Sequence, residues 1–114
     1  MVQKFLSPLQ PTALYETSFH LPESCDQNEL IALVMQNQEM MPGVLKTSVL
    51  IKVGPSPHPD YRHYMVQYLF ESNQALYHYN DSKELIEPVR DAFTAKYGDV
   101  AKDRSRYMNG LQIH

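Results

Sequence analysis

Apolar and polar residues alternate along Ala13–Leu21, with Tyr15, Thr17, Phe19 and Leu21 on one side and Glu16, Ser18 and His20 on the other. A period of two predicts a half-buried strand, which Pro22 ends. The period then lengthens. Asp26-x-x-Glu29 reads as a capping box, each side chain satisfying a free backbone N–H at a helix start. Leu30, Leu33, Val34 and Met41 follow at helical spacing, Ile31 and Met35 widen the stripe, and Asn37 is its one polar interruption. Pro42-Gly43 stops the helix. Alternation returns in Leu45, Thr47, Val49, Ile51 and Val53, with Lys46, Ser48 and Lys52 opposite, a second strand. The proline-rich run Gly54–Asp60 is a stiff loop. In the third strand, Tyr61–Glu71, Tyr64, Val66, Tyr68 and Phe70 face one way and His63, Met65, Gln67 and Leu69 the other. Strands two and three form an antiparallel hairpin across the proline loop.

Residues 72–97 read as helical, with Ser72 or Asn73 capping a first piece that carries Leu76 and Tyr79. Asp81-x-x-Glu84 caps a second, in which Leu85, Val89, Phe93 and Tyr97 recur every four residues and Pro88 must kink the helix or lie in its first turn. Residues 104–114 are the last strand, with Tyr107, Leu111 and Ile113 on one face. The order is β-α-β-β-α-β. It predicts an α+β, ferredoxin-like domain over residues 13–114, after an extended arm over residues 1–12 carrying Pro8 and Pro11. Two right-handed crossovers would place both helices on one face of a four-stranded antiparallel sheet. The other face would carry Leu50, Met65, Leu69 and Met108 among polar residues, too apolar to leave in water. A second copy across a two-fold axis covers it most simply, so the expected partner is the chain itself.

Composition narrows the function classes. In 114 residues the net charge is −3, which argues against a nucleic-acid partner or an anionic membrane surface. No stretch approaches the length of a membrane span and the N-terminus lacks the apolar region of a signal peptide, so a cytoplasmic location is expected. Cys25 is the only cysteine, flanked by Glu23 and Asp26, which oppose thiolate formation, and it reads as a bystander. With only 4 glycines, and with no GxGxxG, P-loop, CxxC or GxSxG, the chain offers no phosphate cradle and no cofactor is expected.

The stretch Tyr64-Met65-Val66-Gln67-Tyr68, then Ser72, Leu76 and Tyr79, then Pro88-Val89-Arg90 and Tyr97-Gly98-Asp99, resembles a family of small bacterial proteins of unknown function grouped with the dimeric α/β barrels. Met41-Pro42-Gly43-Val44-Leu45-Lys46-Thr47 looks like that family's helix-to-strand junction, and the resemblance spans residues 13–114. It implies pairing as a dimeric α/β barrel, with an arginine in the final strand that either Arg104 or Arg106 would match. The family's first helix carries Trp and ends in His-Ile-Pro, whereas this chain has no Trp and reads Met40-Met41-Pro42, so a site built on that histidine would be missing. The resemblance implies no activity.

Two clusters are candidates for chemistry. His58-x-Asp60-x-x-His63 is the densest set of metal-ligand types, but two histidines and a carboxylate at a hairpin tip are ordinarily solvated, and no metal is expected. The second is spatial. His63, Met65 and Gln67 point to the open face, where they are the expected ligand-binding residues, and His20 with Arg104 or Arg106 should alternate onto it. In related dimeric barrels this face lines the cleft where small molecules bind. The alternative is a partly wet dimer interface. The tyrosines read as core and interface packing.

Besides a regulatory ligand-sensing domain that has lost its effector domain, two functions follow. One is a homodimeric module that binds a small apolar or aromatic molecule, or a partner, without chemistry of its own. The other is a cofactor-independent oxygenase or isomerase acting on an aromatic or polyketide-like substrate. There His20 or His63 would be the base, and Arg104 or Arg106 would hold an enolate. Whether the chain is an enzyme is left open by the sequence.

Overall fold

The computed structural model describes residues 12–113. The strand β1 (Ala13–Pro22) is followed by α1 (Gln27–Gln38), β2 (Val44–Ile51), β3 (Tyr61–Phe70), α2 (Asn73–Asp81), α3 (Lys83–Tyr97), β4 (Lys102–Met108) and β5 (Leu111–Ile113). They form one antiparallel sheet in the order β2-β3-β1-β4-β5. The α+β order expected from the sequence is present, with one more strand and one more helix than expected. The arm read over residues 1–12 lies outside the described residues except for Thr12.

The additional strand comes from Asn109-Gly110, a two-residue turn with both φ angles positive, 51° and 84°. Such a turn matches the twist of a hairpin, and it folds Leu111–Ile113 back on Met108–Arg106. Residues 104–114 are therefore not one strand. The additional helix arises at Ser82, which is the N-cap of α3 in place of the expected Asp81. Ser72 caps α2 as expected, its hydroxyl accepting from the N–H of Ala75 at 3.1 Å. Pro88 is the sixth residue of α3, past the first turn, on the exposed side of the helix, and it has no N–H to donate. Asp26 caps α1 by accepting from Asn28 N–H at 2.8 Å, while Glu29 pairs with Lys96 of α3 at 3.4 Å.

The hairpin also inverts a face. Across the turn Met108 pairs with Leu111 and Arg106 with Ile113, while Tyr107 pairs with Gln112. Met108, Leu111 and Ile113 therefore share the helix side of the sheet, and Tyr107 and Gln112 the open side. The expected grouping of Tyr107 with Leu111 and Ile113, and of Met108 with the open face, is corrected on both counts.

The core lies between the sheet and all three helices. Tyr15, Phe19 and Leu21 of β1 and Tyr64, Val66, Tyr68 and Phe70 of β3 are buried there with Leu30, Leu33 and Val34 of α1 and Leu76 and Tyr79 of α2. Aromatic edges and faces organise it. The Tyr15 ring lies 6.0 Å from Tyr68 and 5.6 Å from Tyr79, and the Phe19 ring 4.7 Å from Phe93 of α3. Each such pair adds about 0.5–1.5 kcal/mol beyond the area it buries.

The junction from α1 to β2 turns on Gly43, at φ +91°, whose carbonyl accepts from Glu71 N–H at 2.7 Å. A Cβ there would stand 2.9 Å from the Ala75 Cβ of α2, closer than carbon atoms pack. Gly43→Ala should therefore lower unfolding stability by about 1–3 kcal/mol through left-handed strain and that collision. Urea denaturation checks this, and Ala75→Gly in the same chain should restore the part due to the collision alone.

Candidate functional site

The register of β1 on β3 sets His20 directly opposite His63 on the open face of the sheet. Their rings stack with centroids 4.2 Å apart and planes 15° from parallel. The proline loop between β2 and β3 folds back to them. His58 meets His20 edge-on at 5.3 Å, and its Nε2–H donates to Asp103 Oδ2 at 2.6 Å. Ser56 Oγ is 3.1 Å from His20 Nδ1 and also accepts from the backbone N–H of His58. Ser18 Oγ and His63 Nε2 are hydrogen-bonded at 2.5 Å. Asp103 reaches the cluster because the β1–β4 register slips between Ser18 and His20, and Asp103 adopts φ +55° at that bulge.

Burial pushes the pKa of His20 down, against the pull of Asp103. Burial does the same to His63, and the neighbouring His20 adds to it. Two stacked imidazoles cannot both hold a proton cheaply, so the pair is neutral at neutral pH. The rest of this face is mixed. Gln67 donates to Glu16 at 2.7 Å, Met65 lies between Ser18 and Leu50, and Lys102 stands 4.8 Å from the Tyr61 ring centroid. Among the described residues no group of three or more His, Cys, Asp or Glu is arranged to hold a metal ion. His58, Asp60 and His63 do not converge. Asp60 is exposed at the loop end, where its carbonyl accepts from Glu23 N–H.

The arginines are on the other side. Arg106 pairs with Thr17 of β1, whose side chain faces the helices, so Arg104 and Arg106 project into the sheet–helix layer. They do not join His20 and His63, contrary to the expectation of a shared face. There they line a cavity of about 310 Å³ between the sheet and α1, α2 and α3. Its walls include Leu33 and Val34 of α1, Val66 of β3, Tyr79 of α2, and Val89 and Phe93 of α3. The Arg104 guanidinium donates to Thr94 Oγ1 at 3.1 Å and lies 4.5 Å above the Phe93 ring. Arg106 donates to the Tyr15 hydroxyl and to Asn80 Oδ1, both at 3.5 Å. Burial raises the Tyr15, Tyr68 and Tyr79 pKa values, so all three phenols stay protonated as donors. The Tyr79 hydroxyl is buried with no hydrogen-bond partner among the described residues. Asn37, the polar interruption in the stripe of α1, also lines the cavity at 6% exposure, and its side chain makes no hydrogen bond among the described residues.

Among solved structures, the chain matches a dimeric ferredoxin-like protein of unknown function from Thermobifida fusca. The match covers 90% of this chain and 93% of that one, with a TM-score of 0.50 and 13% identity. It also matches the de novo designed protein Foldit4 over 85% of this chain and 97% of that one, with a TM-score of 0.52 and 8% identity. The fold is ferredoxin-like. No family model matches the sequence, and no curated protein does. At these identities the likeness establishes the ferredoxin-like fold alone, and β5 is added to the four strands of its sheet. No helix among the described residues is long and apolar enough to cross a membrane.

The sequence located the His20–His63 pair but missed Ser18, Ser56 and Asp103 beside it. It missed the cavity altogether, although Asn37 in an apolar stripe was a signal for it. A pH dependence follows from the paired rings. Their folded pKa values lie below the ordinary histidine value of about 6.5, so the unfolded chain binds more protons below that pH. Their contribution is complete above about pH 6.5 and is lost as the pH falls through the folded values. Thermal melts should show stability declining from about pH 7 to pH 5, and His63→Gln should flatten that slope. An unchanged slope in the variant would assign the acid sensitivity elsewhere.

Proposed function

We propose that the chain is a homodimeric ligand-binding module that holds a small, largely apolar molecule in the sheet–helix cavity and pairs with a second copy through its open face. The cavity carries this reading. At about 310 Å³ it lies at the lower end of the range usual for small-molecule sites, and apolar side chains with a few polar groups line it, as such sites require. It is a half-open cleft, so a ligand that fills it would remove its apolar side chains from water. Self-association is supported by the open face, where Leu50 is exposed and Met65 and Leu69 are half-exposed around the stacked histidines. The Thermobifida fusca protein of the same fold is described as dimeric. On this reading His63, Met65 and Gln67 are interface residues.

The oxygenase or isomerase reading is the weaker one. It needs a histidine base and an arginine in one pocket, and the sheet stands between His20 and His63 on one face and Arg104 and Arg106 on the other. No small substrate spans both.

Each half of the reading has its own test. Native mass spectrometry and light scattering should find a dimer at about 100 µM, and Met65→Arg, which puts a charge into the apolar part of the open face, should weaken it by about 100-fold or more. A wild-type monomer at that concentration would end the claim of self-association. The cavity is tested by methyl NMR with neutral 1-naphthol as probe and with 1-naphthoate as its charged counterpart. Leu33, Val34, Val66 and Val89 should shift saturably with at least one of the two. If these methyls move with neither, the cavity is not a ligand site.

A further inference from the structure

Resting on the cavity as a ligand site, we infer that its occupant is a small aromatic monocarboxylate carrying a second polar group, with the carboxylate read by the arginines and the second group by Asn37. Three guanidinium groups, Arg90, Arg104 and Arg106, lie on the lining, and no described lining residue is Asp or Glu. Of the three, Arg104 has no carboxylate partner among the described residues. Arg90 has a half-exposed partner in Glu87 at 3.8 Å, on the outer side of α3. Arg104 is held by a neutral hydroxyl, Thr94, and by the face of Phe93. That arrangement orients the planar fork without neutralising it, which suits a carboxylate. Burial, and next the charge of Arg90, lower the Arg104 pKa, the penalty a bound anion would relieve. Arg106 keeps Tyr15 and Asn80 among its partners and contributes charge from behind them.

Asn37 is the independent observation. It is a polar residue in the apolar stripe of α1 that lies on the cavity lining at 6% exposure, and its side chain makes no hydrogen bond among the described residues, so it is free to pair with a polar group of an occupant. The extent of the apolar walls favours an occupant with a large apolar surface and one charged group over a small, wholly polar anion such as phosphate. A single ring system with one carboxylate and one hydroxyl or amine satisfies the arginines, the walls and Asn37 together.

Calorimetric titration of the full chain, with 2-naphthoate, 3-hydroxy-2-naphthoate, 2-naphthalenemethanol and 2-naphthylamine as probes, tests this directly. In low salt 2-naphthoate should bind at least about 30-fold tighter than 2-naphthalenemethanol, with the gap narrowing as salt rises. Arg104→Gln should close most of that gap, while Arg104→Lys should retain part of it. The hydroxyl of 3-hydroxy-2-naphthoate should add about tenfold in the wild type and nothing in Asn37→Leu. Asn37→Leu keeps the side-chain volume and should leave the melting temperature no lower than the wild type's, so a lost tenfold cannot be blamed on unfolding. Equal binding of the acid and the alcohol, or a preference for the amine, would overturn the anion assignment while leaving the cavity a ligand site. If all four compounds fail to bind, the anion assignment falls, and the 1-naphthol and 1-naphthoate methyl experiment decides whether the cavity itself falls with it. A hydroxyl increment that survives in Asn37→Leu would overturn the role of Asn37.

Discussion

The pairing of β1 with β3 is the constraint on which the rest of the molecule depends. Ten residues of each strand meet in unbroken register, from Ala13 opposite Phe70 to Pro22 opposite Tyr61. Because side chains alternate, that one register sends Tyr15, Phe19, Tyr64 and Tyr68 into the core and His20 and His63 to the opposite face. A slip by one residue would exchange the two sets. On the strand that slipped, it would place an imidazole among aromatic rings and turn the aromatic side chains away from the helices. Both the stacked histidines and the cavity walls are consequences of this single alignment of strands.

The outer strands modify what the central pair dictates. At β4 the register slips beside His20, and the bulge turns Asp103 toward the histidines while its successor Arg104 goes to the helix side. Neighbouring residues of opposite charge thus serve opposite faces. The sheet separates an acid–imidazole cluster from an arginine-lined cavity, and this separation weighs against a single catalytic centre more strongly than the absence of any motif does.

Much of this was legible in the sequence where one period ran without interruption. β1, β3 and α1 each announce their buried side, and the pairing of Tyr15, Phe19, Tyr64 and Tyr68 into one layer follows from alternation alone. The failures share a physical origin. Treating residues 104–114 as one strand carried a strict odd–even count through Asn109-Gly110, but across a two-residue turn residues three apart pair with each other, so the parity inverts. That inversion misplaced Met108 and Tyr107 and moved Arg104 and Arg106 to the wrong side of the sheet. Asp103 was invisible for a related reason, since a bulge breaks the count without a compositional mark. The cavity depends on how far α1 and α3 stand from the sheet, which no local pattern encodes. Asn37 was its only trace.

The two margins of the sheet are unequal. On one, β2 offers eight residues with Leu45, Leu50 and Ile51 exposed, and on the other β5 is a stub of three. A growing β-fibril must add molecules at both margins, because each newcomer has to leave a fresh strand for the next. A molecule that recruits along β2 presents only the stub beyond it. Among the described residues, recruitment along β2 therefore does not by itself propagate, because the strand left at the far margin is short.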